Sequence, residues 1–308
     1  MEIVLLGDAL EQLQTLADES AYTCVTSPPY YNLRDYGTAG QIGAEDTPEE
    51  YIGKLVNVFR EVRRVLRRDG TLWLNIGDSY ATRSGPQPPR NTRNRCGHTA
   101  KSIPEGYKKK DMIGIPWMLA FALRTDGLYL RQDIIWQKTN CMPESVRDRC
   151  TRSHEYIFLL SKSEQYYFDA EEISEPIAKS SKKRYAQNLG GQRGSERQPG
   201  KTNGPMKAEM PKFKGSRRNK RDVWTLSTGG FKGAHFAVFP EKLVEPCILA
   251  GCPEGGTVLD PFTGSGTTGA VAKRLRRNFV GVEINAEYWE MAQERIHSTA
   301  VEYEQMKI

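Results

Sequence analysis

The chain is poor in the residues that would staple or anchor it. It has six cysteines, none in a CxxC pair or in a cluster with histidine. That argues against a zinc site and, in a chain of 308 residues, against a disulfide framework. A reducing cytoplasm is the expected setting. Long apolar runs are missing as well. IPWMLAFAL at residues 115–123 is among the longest and falls short of the roughly 20 residues a bilayer-spanning helix needs. The opening MEIVLLGDALEQL carries an acid where a secretory signal needs a basic region, so no membrane partner is expected. Internal repeats and nuclease motifs are absent, and no metal site is expected. With 38% apolar and 27% charged residues, the chain can bury one large domain, or one domain carrying an inserted lobe.

Acidic residues are scarce in one segment. Residues 179–221 hold 14 Lys or Arg against Glu196 and Glu209, so this stretch is +12 within a chain of net charge +6, and everything else sums to −6. Its six glycines and few large apolar residues cannot offset its ordering entropy without a partner. A second loop, residues 83–110, has eight basic residues, one acid and Pro86, Pro88 and Pro89. Two basic, Gly/Pro-rich loops in an otherwise acidic body point to nucleic acid, whose phosphates reward clustered Lys and Arg through counterion release.

Strand-like and helix-like patterns alternate. Residues 2–6 and 22–26 read as short buried strands. A helix follows from about 48 to 67, with Thr47 as N-cap, Pro48 in the first turn, Glu50 completing a capping box, and apolar Leu55, Val58, Phe59, Val62 and Leu66 at helical spacing. Asp69-Gly70 then turns the chain into TLWLNI. Further helices are expected near 114–123, 241–250, 267–275 and 286–300, and strands near 130–137, 156–161, 257–259 and 279–282. Such alternation predicts an α/β sheet with helices on both faces and ligands at the carboxyl ends of its strands.

The segment TVLDPFTGSGTTG reads as a strand, a tight turn and a helix start. Gly264, Gly266 and Gly269 satisfy GxGxxG, and Glu283 ends the next strand, VGVE. Glycines let a backbone approach a nucleotide-like ligand, and a strand-end carboxylate can accept both ribose hydroxyls. No lysine follows the last glycine, so this is not a P-loop. The unit lies in the last fifth of the chain with one strand after it, so N-terminal strands must complete the sheet, as in a circular permutation. Asp260 at the strand end suits a cationic ammonium, as in S-adenosylmethionine, better than a pyrophosphate.

The second motif is TSPPYYN, directly after the strand at 22–26. Together with DPFTGSGTTG it resembles the DNA amino-methyltransferases of the permuted group, in which the catalytic tetrapeptide precedes the cofactor loop. The likeness extends through LLGDAL, GTLWLNIGDSY, IGIPW, RQDIIWQK, HFAVFPEKLVEPCI and NFVGVEINAEYWEMAQERI. It implies a Rossmann-like, doubly wound, mixed sheet of the S-adenosylmethionine-dependent methyltransferase type, circularly permuted, with an inserted basic target-recognition region. The implied organisation is a catalytic half at 1–175, a recognition insert at 176–228 and a cofactor-binding half at 229–308.

The resemblance also implies roles. An exocyclic amino nitrogen is a poor nucleophile because its lone pair is conjugated into the base. Fixed oxygens that accept both its N–H bonds draw it toward tetrahedral geometry. Ser27 Oγ and the Pro28 carbonyl are the expected acceptors. Pro28 and Pro29 stiffen the corner, and Tyr30 offers a ring on which a flipped base can stack. Ser in first place favours cytosine N4 in double-stranded DNA over adenine N6. C5 methylation needs an attacking cysteine, and Pro246-Cys247 lies in a helical stretch. The expected cofactor contacts are Asp8 and Ala9, Phe239, Asp260, Phe262, and the turn Gly264, Ser265, Gly266 and Thr267, with Glu283. Asp8 serves equally as a helix N-cap, and Phe262 as a core residue. His235 reads as structural. Dimers are expected for this group. Competing classes are an RNA or protein-glutamine methyltransferase, a non-catalytic nucleic-acid-binding module, and a nicotinamide oxidoreductase.

Overall fold

The computed structural model describes residues 1–33, 38, 40–82, 103–178, 180, 216–228 and 240–301. Met1–Asp169 and Arg221–Ile308 form one compact unit, and Ala170–Lys220 form another. In chain order the elements are β1 (Glu2–Leu6), α1 (Ala9–Gln14), β2 (Ala21–Thr26), α2 (Pro48–Val65), β3 (Leu66–Ile76), α3 (Ile115–Thr125), β4 (Tyr129–Lys138) and β5 (His154–Ser161). Then come β6 (Glu175–Pro176), β7 (Arg217–Arg218), β8 (Val223–Leu226), α4 (Glu241–Gly251), β9 (Thr257–Asp260), α5 (Thr267–Arg274), β10 (Asn278–Glu283) and α6 (Ala286–Ser298). Among the described residues of the smaller unit, β6 and β7 pair antiparallel, and Arg218 bonds Glu175 across them at 3.3 Å.

The larger unit is built on an eight-stranded sheet of order β1-β10-β9-β2-β3-β5-β4-β8. Every neighbouring pair is parallel except the two made by β5, which runs against both β3 and β4. The late strand β9 lies between β10 and the early strand β2, with Thr23 opposite Val258 and Cys24 opposite Leu259. N-terminal strands therefore complete the sheet that the C-terminal segment begins. Strand alternation separates two apolar layers. Cys24, Leu72, Leu74 and Ile76 join Leu55, Val58, Phe59 and Val62 of α2 and Leu119 and Leu123 of α3 in one core. On the other face, a Cβ added to Gly251 of α4 would come within 2.7 Å of the hydroxyls of Thr23 and Thr71.

A local signal accounts for the start of α2. The Thr47 side chain accepts from the Glu50 amide at 3.2 Å and Pro48 occupies the first turn of α2, satisfying a donor that the helix cannot. Strand β3 differs from expectation: it starts at Leu66, directly after α2, and the Asp69-Gly70 turn is an excursion within the strand. Ala21 faces Leu66 but Thr23 already faces Thr71, so the intervening residues loop out of register.

Candidate active site

Residues at the carboxyl ends of several strands enclose a cavity of about 480 Å³, within the usual range for ligand sites. Gly7, Asp8 and Ala9 reach it from the end of β1, and Ser27, Pro28, Pro29 and Tyr30 from the end of β2. Pro261–Gly264 follow β9, Ser265 and Thr267 lie at the start of α5, and Glu283 ends β10. The proline corner and the glycine turn, more than 230 positions apart, thus line one cleft.

The corner is fixed by hydrogen bonds along its backbone. Tyr51 donates its phenol to the Pro29 carbonyl at 2.7 Å, Ser79 Oγ donates to the Tyr31 carbonyl at 2.8 Å, and the Asn32 amide donates to Gly43 at 2.7 Å. Among the described residues no hydrogen bond engages the Pro28 carbonyl. Tyr30 is held at its far end: its hydroxyl donates to Glu155 Oε2 at 2.8 Å and approaches Asn75 Oδ1 at 3.3 Å. Burial and the neighbouring Glu155 raise its phenol well above the ordinary tyrosine value.

In the glycine turn, Gly264 and Gly266 adopt φ of 53° and 80°, a region that L side chains rarely enter. The Gly264 amide donates to Glu283 Oε2 at 2.8 Å and the Asn285 amide to Oε1 at 2.9 Å. Burial nevertheless dominates, raising the Glu283 carboxyl to about 7. Gly266 lies outside the lining. It begins α5, where a Cβ would come within 2.9 Å of the Ala292 backbone of α6.

Other expected residues fall as follows. The Asp8 side chain caps α1, accepting from the amides of Leu10 and Glu11, while also lining the cavity. Phe262 lines the cavity and meets the core ring of Phe59 edge-on at 6.5 Å. Asp260 lies behind the wall rather than in it. It is buried, accepts from Thr26 Oγ1 at 2.7 Å and from the Phe262 amide at 3.1 Å, and is raised to about 6 by burial. Among the described residues its Oδ2 makes no hydrogen bond of ordinary geometry, the Thr268 hydroxyl beside it donating instead to the Val25 carbonyl at 3.3 Å. Asp260 therefore ties β9 to β2. Cys247 is buried in α4 with its thiol donating to Leu243. Phe239, His235 and most of the two basic loops lie outside the described residues.

The sequence reading missed a polar group at the other end of the cleft. Asn75 near the end of β3, Trp136 and Lys138 on β4, and Glu155 on β5 all line it. Lys138 pairs with Glu155 and lies 4.7 Å above the Trp136 ring.

The family model described as DNA methylase, of the N6/N4 type, matches residues 22–294. The type II methyltransferase M.SmaI of Serratia marcescens is 50% identical over 295 residues, which cover 95% of this chain and 90% of that protein. M.Cfr9I of Citrobacter freundii, also a type II methyltransferase, is 46% identical over 292 residues, covering 94% and 86%. The fold is similar to that of the PvuII DNA methyltransferase (cytosine-N4-specific), with a TM-score of 0.64 over 98% of this chain and 88% of that one. At 18% identity that likeness speaks for the fold alone. With a family match across most of its length and a relative identical at half of the aligned positions, the chain belongs to the N6/N4 family of DNA methylases, as a type II DNA amino-methyltransferase.

Proposed function

We propose that this enzyme transfers a methyl group to the exocyclic N4 of cytosine in double-stranded DNA, acting on a base flipped out of the helix by direct in-line transfer. The observation that carries this reading is the single cleft bounded at one end by Ser27–Tyr30 and at the other by the glycine turn and Glu283. The residues at that second end fit S-adenosylmethionine. The positive-φ turn at Gly264 allows close backbone approach, the buried Glu283 carboxylate keeps a lone pair on each oxygen for ribose hydroxyls, and Asp8 and Phe262 flank them. When bound, S-adenosylmethionine supplies an electrophilic methyl group on its sulfonium.

The chain's own work is positioning. Ser27 Oγ and the Pro28 carbonyl accept the two N–H bonds of the target amine, directing its lone pair across the cleft. The Tyr30 ring gives the extruded base an apolar face. Ser27 in the first place of the tetrapeptide favours cytosine, and PvuII methyltransferase, which shares the fold, is named as cytosine-N4-specific. Adenine N6 is the alternative. In this scheme residues 1–175 and 229–308 supply the catalytic and cofactor halves, and 176–228 carries target recognition, with β8 at its end joining the sheet.

The experiment is digestion of treated plasmid DNA to nucleosides and mass analysis. N4-methylcytosine is the expected product. N6-methyladenine would move the assignment to adenine, and methyl groups in RNA or protein but not in duplex DNA would overturn it.

A further inference from the structure

Glu155 has a place in this site that no motif assigns. It is the second residue of β5, the one strand of the sheet that runs against its neighbours. Because of that reversal, the beginning of β5 lies at the same edge as the ends of β3 and β4: Ile76 faces Tyr156, and Trp136 faces Glu155. The carboxylate uses both oxygens. Oε2 accepts from the Tyr30 hydroxyl at 2.8 Å and from Asn75 Nδ2 at 3.3 Å, while Oε1 pairs with Lys138. The pair is well shielded, with side-chain exposures of 14% for Glu155 and 20% for Lys138.

Such a carboxylate without its counter-cation would carry a desolvation penalty, which the pairing with Lys138 offsets while holding the group in place. A charged acceptor makes a shorter and stronger bond to a hydroxyl than a neutral one. The ring it holds is confined from the other side too: a Cβ on Gly77 would lie 2.6 Å from Tyr30 Cε2. Tyr30 is thus pinned at its backbone by the proline corner, along its ring by Gly77, and at its hydroxyl by Glu155.

We propose that Glu155, charge-balanced by Lys138, is the positioning residue that fixes the plane of the Tyr30 ring against which the extruded base stacks. The inference rests on the reading of Ser27–Tyr30 as the base-gripping corner. It predicts that Tyr30 and Glu155 act as one unit on DNA and not on the methyl donor. The test is a double-mutant cycle in the full-length enzyme with Glu155→Gln, Tyr30→Phe and the double variant. Labelled methyl transfer to plasmid DNA gives kcat and KM, and calorimetry gives the S-adenosylmethionine Kd.

The expected result is a roughly tenfold or larger fall in kcat/KM for DNA in each single variant, with the donor Kd unchanged within about twofold. The double variant should be no worse than the poorer single. Independent, multiplying losses would overturn the proposal, as would full activity of Glu155→Gln. So would parallel loss of donor binding, which would mark a general structural role. Ser27→Ala separates the two levels. If Ser27→Ala is inactive while Glu155→Gln is normal, only this inference fails; if Ser27→Ala is fully active, the underlying reading of the corner fails.

Discussion

Lowering the pH through neutrality should loosen the grip of this enzyme on S-adenosylmethionine, and Glu283 should be the cause. Burial raises its carboxyl from 4.5 to about 7 against the pull of its backbone hydrogen bonds. Each oxygen already accepts one amide, from Gly264 or Asn285. Only the ionised form therefore has acceptor capacity left on both oxygens for two ribose hydroxyls; the acid form has surrendered one site to its own proton. Binding through the carboxylate must first remove that proton. With a free-enzyme pKa about 7, the apparent affinity falls about tenfold between pH 8 and pH 6, equivalent to roughly 1.4 kcal/mol. Titration calorimetry at both pH values measures this, and repetition at pH 7 in two buffers of different ionisation enthalpy detects the released proton. Glu283→Gln should bind more weakly and lose this slope. Ionisation of the ligand contributes equally to both proteins, so the difference between them is the reading. An identical pH slope in wild type and Glu283→Gln would refute the role assigned to the carboxylate.

The same burial has the opposite sign for stability. Asp260 and Glu283 have native values of about 6 and about 7, above their ordinary 3.8 and 4.5. The native state thus holds protons the unfolded chain has released, and unfolding free energy of the ligand-free protein should decline as pH rises from about 4 through 7. Urea titrations across that range should show the decline, and Asp260→Asn with Glu283→Gln should flatten it. Ser27→Ala removes one fixed acceptor and should lower kcat by about 10²–10³-fold with little change in donor Kd; unaltered kcat would remove Ser27 from the mechanism. Gly269→Ala would place a methyl 2.4 Å from Ile296 Cδ1 and 2.7 Å from Phe279 Cε1, wedging α5 from β10 and α6. The expected loss is about 1–3 kcal/mol in urea unfolding, and a stability equal to wild type would show that the contact relaxes freely.

Sequence signals revealed those parts of the fold whose causes are local. The Thr47 cap and the Leu55, Val58, Phe59 and Val62 stripe define α2 within a few neighbouring residues, and the structure places that helix at Pro48–Val65. The permuted order was legible too, because a glycine-rich turn with one strand after it leaves no other source for the remaining strands. The direction of β5 was not. An apolar run such as YIFLL reads the same whether its strand runs with or against its partners, and only the pairing with β3 and β4 decides it. Everything that depends on that reversal was hidden with it: Glu155 stands in no motif, and it meets Lys138, the last residue of RQDIIWQK, only through the β4–β5 ladder. The direction in which Asp260 turns was not legible for a related reason. A strand-end acid can turn toward the ligand or toward the neighbouring strand, and Thr26 on β2, 234 residues away in sequence, draws it toward the strand.

The position of the cleft follows from the strand order itself. After β9 the chain passes through α5 and returns on one side as β10; after β2 it passes through α2 and returns on the other side as β3. The two crossovers leave adjacent parallel strands in opposite directions, so the loops leaving β2 and β9 diverge and open a crevice between their carboxyl ends. Ser27 follows the last residue of β2 and Pro261 follows the last residue of β9, which puts the two motifs on the two lips of that crevice. The Thr26–Asp260 hydrogen bond sits one step beneath, joining the strands below the opening. A permuted chain thus keeps the site of an unpermuted one, because the crevice depends on which strands are neighbours and where each connection departs, not on which half of the sheet is made first.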